Sequence, residues 1–127
     1  MTKQKLLNTL LSKAADKKRF FVGIAGPPAS GKTTLTESLA QSLSKQTSVA
    51  VVAMDGFHYD NSILQEQNLL KKKGSPQTFD VSGLRLLLSG LVNQTETLAA
   101  PVFDRTQDLA RSSAYLIHPD DHIILVE

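Results

Sequence analysis

The chain has 127 residues, of which 41% are apolar and 20% charged, and it contains no cysteine. This length and composition are typical of one globular domain and exclude a disulfide framework, a thiolate zinc site and a cysteine nucleophile. No apolar run approaches the roughly 20 residues that a membrane-spanning helix requires, and the N-terminus lacks the apolar stretch of a signal peptide. We therefore expect a cytoplasmic protein without a membrane partner.

The net charge of +2 is distributed unevenly along the chain. Residues 1–20 carry a net charge of +5, whereas the other 107 residues carry −3. A basic end can bind nucleic acid, but no aromatic residues interleave with these lysines. A solvated helix face is the better interpretation, and we expect no nucleic-acid partner.

The spacing of apolar residues predicts an alternation of helices and strands. Helices are predicted at 1–18, at about 32–45, at 61–73 and from Asp80 to Leu91. Strands are predicted at 20–25, 49–54 and 122–126, with a short extended piece at 99–103. Lys71, Lys72 and Lys73 would complement the dipole at the end of the third helix. The pattern predicts a single α/β domain over 1–127, with an N-terminal amphipathic helix at 1–18 and a core with a parallel sheet at 20–127.

The segment from Gly26 to Thr33 reads Gly-Pro-Pro-Ala-Ser-Gly-Lys-Thr and matches the P-loop pattern G-x-x-x-x-G-K-[ST]. It lies between a predicted strand and a predicted helix, which is the arrangement that this motif requires. Glycines let the backbone approach phosphates, and successive N–H groups at the positive end of the helix bind them. The predicted phosphate-binding residues are Gly26, Ala29, Ser30, Gly31, Lys32, Thr33 and Thr34.

Three side chains in and after this motif have predicted chemical roles. Lys32 would reach the β- and γ-phosphates of a nucleotide, and the Thr33 hydroxyl would bind Mg²⁺. Asp55 follows the second buried strand, at the edge where α/β proteins bind ligands. Its carboxylate could orient or deprotonate an attacking hydroxyl, but Asp55-Gly56 could equally be a simple turn.

Five segments in chain order carry a resemblance to a known family. They are Gly-Ile-Ala-Gly-Pro-Pro-Ala-Ser-Gly-Lys-Thr-Thr at 23–34, Met-Asp-Gly-Phe-His-Tyr at 54–59, Pro-Gln-Thr-Phe-Asp at 76–80, Ala-Pro-Val-Phe-Asp-Arg at 100–105 and Ile-Leu-Val-Glu at 124–127. Over about residues 20–127 the chain resembles the phosphoribulokinase/uridine kinase/pantothenate kinase group of P-loop small-molecule kinases, especially its uridine kinase-like or fructokinase-like bacterial members. The resemblance implies the three-layer P-loop NTPase fold, with ATP and Mg²⁺ as cofactors.

The resemblance also implies roles for individual residues. Asp55 corresponds to the catalytic aspartate that acts with Lys32, and Glu127 to the acidic residue near Mg²⁺ at the end of a strand, beside Thr33. The predicted acceptor-binding residues are Asp55, His58, Tyr59, Phe79, Asp80, Phe103 and Arg105. Core packing is an equally good interpretation of Phe79 and Phe103, and a surface loop is an equally good interpretation of His58 and Tyr59.

A further group of polar residues indicates a metal site only weakly. His118 and His122 flank Asp120 and Asp121, and a solvated loop is the better interpretation of this group.

Members of the resembled family continue beyond the strand that ends at Glu127, into further strands, a lid with basic residues and an adenine-binding loop. The resemblance thus implies that these C-terminal strands and the lid are missing. Transition-state charge would then be met by Lys32, Mg²⁺ and either Arg105 or Arg111. The strand at 20–25 would become an exposed edge through which copies could pair as a homo-oligomer.

The leading functional prediction is transfer of the γ-phosphoryl group of ATP to a hydroxyl of a small metabolite. A nucleoside such as uridine, a sugar and a pantothenate-like alcohol remain open as acceptors. One alternative is a catalytically incomplete nucleotide-binding fragment or assembly module. A P-loop hydrolase, either a regulatory GTPase or an ATPase, is less favoured. The guanine-recognition pattern Asn-Lys-x-Asp is absent from the sequence, and Asp55 lies where a kinase needs an acceptor-side carboxylate.

Overall fold

The computed structural model describes residues 2–27, 30–93 and 95–127. The order of elements is α1 (Lys3–Ala14), β1 (Phe20–Gly23), α2 (Lys32–Leu43), β2 (Val49–Val52), α3 (Asn61–Glu66), α4 (Val81–Asn93), β3 (Leu98–Asp104), β4 (Leu109–Ile117) and β5 (Ile123–Val126). Short 3₁₀ helices lie at Met54–Phe57, Leu70–Lys72 and Pro76–Thr78. None of the described helices is long and apolar enough to cross a membrane.

The chain divides into two compact units. The first unit consists of Met1–Val52 and Pro119–Glu127, and the second consists of Ala53–His118. The final segment of the chain therefore belongs to the first unit, because β5 pairs with strands of the N-terminal half.

The first unit is built on a three-stranded parallel sheet in the order β1-β5-β2. Ile123 at the start of β5 is in register with both Phe20 and Val49, so all three strands end at the same edge. Residues 123–125 are fully buried, as expected for a central strand covered on both faces. The predicted α/β fold with a parallel sheet flanked by helices is confirmed, and β1 lies at one edge of the described sheet.

The core of the first unit joins the two helices to the central strand. Its buried members are Leu7, Leu10, Ala14, Leu39, Leu43, Ile123 and Leu125. Leu39 and Leu43 are four residues apart and therefore share one face of α2. Burial of leucine side chains of this kind contributes about 1.5–3 kcal/mol each to folding.

His122 has a structural role in the first unit. Its Nε2 lies 2.8 Å from the Ala14 carbonyl oxygen and 2.9 Å from that of Lys17. Carbonyl oxygens only accept hydrogen bonds, so Nε2 carries a proton. The other ring nitrogen lies 2.8 Å from Thr47 Oγ1. The ring thus ties the end of α1 to the start of β5. Among the described residues, no three His, Asp or Glu side chains are grouped so that they could hold a metal ion.

The predicted helix at 61–73 is wrong in its extent. The observed α3 ends at Glu66, because Asn68 adopts a left-handed conformation with φ 59°. The Leu69 N–H then donates to the Leu64 carbonyl oxygen at 2.7 Å, a bond typical of a helix that ends in a left-handed residue. Lys71 and Lys72 instead belong to a separate 3₁₀ turn.

The second unit contains an antiparallel hairpin of β3 and β4. The predicted extended piece at 99–103 lies within β3, whereas β4 was not predicted. A register shift between Ala100 and Val102 interrupts the hairpin pairing. Helix α4 follows Asp80, whose Oδ1 accepts the Gly83 N–H at 2.9 Å, so the predicted helix start is confirmed.

Candidate functional site

The described part of the P-loop lies between β1 and α2 of the first unit. Pro28 and Ala29 fall outside the described residues, so the predicted role of Ala29 is not described structurally. Gly31 has φ 85°, a left-handed conformation that favours glycine. A Cβ at this position would meet no atom within 4 Å, so backbone conformation, rather than space, requires glycine here.

The first turn of α2 carries the other predicted phosphate-binding groups. Lys32 is the first helical residue, and Thr33 and Thr34 follow it with exposed side chains. The first N–H groups of a helix have no partner within the helix, and they can therefore bind an anion. Ser30 and Gly26, before this turn, are also exposed.

The two predicted metal-binding residues lie together in the first unit. The Thr33 hydroxyl donates a hydrogen bond to Oε1 of Glu127. Glu127 follows β5 directly, and its backbone N–H donates to the Val52 carbonyl oxygen at 2.9 Å. A hydroxyl and a carboxylate are the oxygen ligands that Mg²⁺ prefers, so this donor set fits the predicted ion.

In the second unit, backbone pairing joins two segments with predicted acceptor residues. His58 and Phe79 form an isolated antiparallel bridge. The Asp80 N–H donates to the Phe57 carbonyl oxygen at 2.7 Å, and the Tyr59 N–H donates to the Thr78 carbonyl oxygen at 3.0 Å. This pairing places His58 and Phe79 side by side although they are far apart in sequence.

The His58 ring packs between two predicted acceptor residues. Its centroid lies 4.2 Å from that of Phe79 and 4.8 Å from that of Phe103. Its Nδ1 lies 2.8 Å from the Asp55 carbonyl oxygen and therefore carries a proton, because a carbonyl can only accept. All three rings are half-buried. The packing and pocket interpretations of Phe79 and Phe103 are thus compatible with each other.

Asp55 lies in the 3₁₀ turn Met54–Phe57, and its side chain is 51% exposed. Nη2 of Arg105 lies 3.4 Å from its Oδ2. A Cβ on Gly56 would lie 2.7 Å from the Pro101 carbonyl oxygen, so only glycine permits this approach to β3. Asp55 is therefore part of a turn, and its carboxylate is also accessible.

Two other predicted residues form local structural contacts. Asp80 uses one carboxylate oxygen to cap α4 through Gly83. Arg111, a candidate for meeting transition-state charge, places Nε 3.5 Å from Oδ2 of Asp104 within the hairpin. Both contacts lie within the second unit, one at the start of α4 and the other between the two strands of the hairpin.

Sequence reasoning missed a charged group beside Phe103. Nζ of Lys73 lies 5.1 Å from the Phe103 ring centroid and donates to Asn61 Oδ1 and Asp108 Oδ1, each at 2.8 Å. Hydrogen bonds from Lys73, which has the larger effect, and from Asn61 lower the pKa of Asp108 below its ordinary value. The lysine run was visible in the sequence, but no pattern linked Lys73 to a partner 35 residues away.

A family model and several known proteins match the chain. The model described as "Methylmalonyl Co-A mutase-associated GTPase MeaB" matches residues 1–72, which include the P-loop. A pantothenate kinase of Photorhabdus laumondii is 33% identical over 98% of this chain. The match covers 41% of that relative, so the chain spans about two fifths of the length of the curated relatives it matches.

Solved structures agree with these matches. A protein of Silicibacter sp. TM1040 named as a fructose transport system kinase superimposes with a TM-score of 0.88 at 37% identity, covering 100% of this chain and 63% of that one. A Bacillus stearothermophilus structure named for uridine kinase has a TM-score of 0.66 at 24% identity, covering 100% and 71%, and supports the fold alone. The chain belongs to the P-loop family whose model matches residues 1–72. The relatives that match nearly all of this chain place it in the phosphoribulokinase/uridine kinase/pantothenate kinase group of P-loop small-molecule kinases.

Proposed function

We propose that the chain contributes nucleotide-binding and acceptor-binding residues to an ATP-dependent kinase that phosphorylates a hydroxyl of a small metabolite. The observation that favours a kinase over a hydrolase is the cluster around Asp55 in the second unit. There the backbone carbonyl oxygen of Asp55, whose carboxylate is accessible, contacts the half-buried ring of His58, which packs between the rings of Phe79 and Phe103. A hydrolase needs only a water site, whereas a kinase needs a surface that binds an organic acceptor.

The first unit would bind the nucleotide. The P-loop residues Gly26, Ala29, Ser30, Gly31, Lys32, Thr33 and Thr34 would hold the phosphates through backbone N–H groups and the Lys32 ammonium. Thr33 and Glu127 would hold Mg²⁺, which neutralises phosphate charge when it is bound. The hydrogen bond between these two side chains supports this assignment, because two oxygen atoms suited to Mg²⁺ lie next to each other.

The second unit would bind the acceptor. The acceptor oxygen would attack the γ-phosphorus and form a new O–P bond, while the bond from phosphorus to the β–γ bridging oxygen breaks and ADP leaves. The hydroxyl proton would pass to the Asp55 carboxylate. The Arg105 guanidinium, whose Nη2 lies 3.4 Å from Oδ2 of Asp55, would face the same acceptor position. His58, Tyr59, Phe79, Asp80 and Phe103 would line the acceptor position.

Substitution of Asp55 tests the proposed chemistry. We expect Asp55→Asn to reduce acceptor-dependent ATP consumption by about 10²–10⁴-fold, because proton transfer to the base is lost. ATP binding, measured by calorimetry, should remain unchanged, and Asp16→Asn, an exposed carboxylate of the first unit, provides the control. Full activity of Asp55→Asn would contradict the proposed role, and ATP turnover that ignores every acceptor would favour the hydrolase.

The acceptor is tested with a panel of uridine, fructose and pantothenate. The relatives and the solved structure named above motivate the last two compounds, and the family resemblance motivates the first. Fructose-dependent turnover would assign the chain to sugar phosphorylation, whereas pantothenate-dependent turnover would assign it to the activity for which its curated relatives are named.

Nucleotide binding is tested by calorimetry with ATP and Mg²⁺. We expect Lys32→Ala to weaken binding by about 10–100-fold, because it removes a charge-assisted contact with phosphate. Lys45→Ala, an exposed lysine just beyond α2, should bind normally. A folded chain that binds no nucleotide would favour the incomplete-fragment alternative. A strong preference for GTP would favour the activity for which the matching family model is named.

Association of copies along the edge of β1 stays a prediction. Light scattering at high concentration tests it, because pairing of edge strands gives a dimer mass. A single species of monomer mass would contradict it.

A further inference from the structure

The turn between β3 and β4, residues Asp104–Asp108, carries the guanidinium that contacts Asp55. Arg105 is 80% exposed, and its Nη2 lies 3.4 Å from the Asp55 carboxylate. An exposed ion pair of this kind is too weak to fix the position of two side chains. The place of Arg105 must therefore be set mainly by the backbone of the turn.

The first end of the Asp104–Asp108 turn is fixed by Asp104. Its Oδ1 accepts the Gln107 N–H at 3.1 Å, and its Oδ2 accepts Nε2 of the same glutamine at 3.2 Å. Arg111 places Nε 3.5 Å from Oδ2. The Asp104 side chain is only 19% exposed, so these contacts are partly shielded from water.

The second end of the turn is fixed from another part of the chain. Asp108 adopts a left-handed conformation with φ 55°. Its Oδ1 accepts from Lys73 Nζ at 2.8 Å, and its Oδ2 accepts from Asn61 Nδ2 at 3.0 Å. The Lys73 ammonium also donates to Asn61 Oδ1 at 2.8 Å, which closes a ring of three side chains.

Lys73 is the more buried of the two charged side chains in this ring. Its side chain is 19% exposed, against 61% for Asp108. A lysine that has lost most of its water needs charged or polar partners to compensate, and Asp108 and Asn61 provide them. The same ammonium lies 5.1 Å from the centroid of Phe103, which directly precedes the turn.

We propose that Lys73 is a positioning residue for the acceptor. Through Asp108 and Asn61 it holds the Asp104–Asp108 turn in the conformation that presents Arg105 to Asp55, and it steadies Phe103. The lowered pKa of Asp108 supports an ion pair that persists at neutral pH. The effect on acceptor binding rests on the proposed function, whereas the effect on the turn does not.

Hydrogen exchange tests the effect on the turn without requiring activity. We expect amides of the Asp104–Asp108 turn to exchange about 5- to 10-fold faster in Lys73→Met, because a partly buried charged contact is lost. Asp108→Asn should act in the same direction, since asparagine tolerates the left-handed backbone but carries no charge. Lys72→Met removes an exposed neighbouring charge and should leave exchange unchanged.

Kinetics test the effect on the acceptor. In Lys73→Met and Asp108→Asn the KM for the acceptor should rise about 5- to 10-fold while the KM for ATP stays unchanged, a split that general destabilisation would not produce. Circular dichroism confirms folding of each variant. Unchanged exchange in the turn, or faster exchange with an unchanged acceptor KM, would overturn the proposal. If the unmodified chain phosphorylates no acceptor, the proposed function fails, and exchange in the turn alone upholds or overturns the role of Lys73.

Discussion

The contacts inside the first unit differ in kind from the contacts inside the second unit. In the first unit, a central strand and two helices share one apolar core, whose buried members include Leu39 and Leu125. In the second unit, buried apolar side chains such as Leu64 and Ile117 are accompanied by polar contacts between distant segments, such as Lys73 with Asp108. Apolar periodicity therefore describes the first unit well, but it does not reveal these polar contacts of the second unit.

This difference agrees with the proposed roles of the units, in which the first binds the nucleotide and the second binds the acceptor. Binding of phosphates depends on backbone N–H groups at one strand–helix junction, which a regular sheet and helix can supply. Recognition of an acceptor depends on side chains from several segments, which irregular turns can bring together. The second unit uses the turn at Met54–Phe57 and the end of β3 to gather Asp55, His58 and Phe103 in one cluster.

Truncation of a core leucine is expected to break the first unit most strongly. Leu39→Ala should reduce the free energy of unfolding by about 2–5 kcal/mol, because the side chain is 2% exposed and leaves a cavity. Denaturant unfolding followed by circular dichroism measures the change. Leu35→Ala, on the same helix but 41% exposed, is the control and should cost much less. Equal losses for the two variants would contradict the core described for this unit.

A methyl group on Gly56 is expected to break the second unit, with a smaller effect. Gly56→Ala would place Cβ 2.7 Å from the Pro101 carbonyl oxygen, a backbone atom with little freedom to move. We expect a loss of about 1–3 kcal/mol in the free energy of unfolding, measured in the same way. A Cβ on Gly23, in the first unit, meets nothing within 4 Å, so Gly23→Ala is the matched control. No difference between the two variants would show that the turn and β3 can separate freely.

Acid is expected to have the smallest effect and to act on the second unit. Hydrogen bonds from the Ser62 hydroxyl and N–H lower the pKa of Asp60, and a hydrogen bond from Lys73 lowers that of Asp108. Because both folded pKa values lie below the ordinary 3.8, the stabilisation is complete above this pH and is lost as pH falls through the folded values.

Thermal unfolding between pH 7 and pH 2 measures this dependence. Asp60→Asn and Asp108→Asn should each flatten the loss of stability at acid pH, by a modest amount because both carboxylates are exposed. Glu66 is exposed at the end of α3, and Glu66→Gln should leave the loss of stability at acid pH unchanged. If all three variants lose the same stability at acid pH, then ionisation of Asp60 and Asp108 does not contribute to the pH dependence.

The sequence predicted the regular elements better than the irregular ones. Strand β5 and the start of α4 were predicted from apolar runs and from Asp80 as a cap, because these signals act over a few neighbouring residues. The helix at 61–73 was overextended, since Asn68 ends it with a single left-handed residue. Strand β4 was missed because its alternation of apolar and polar residues is weak.

The candidate site divides along the same line. The sequence alone determined the position of the P-loop, with Lys32 and Thr33 at the start of a helix, because the motif and its flanking strand and helix are contiguous. The family resemblance, not local spacing, predicted that Glu127 acts with Thr33, and the tertiary structure supplied their hydrogen bond. Only the tertiary structure decided that Lys73 meets Asp108, 35 positions away, because that contact depends on how distant segments pack.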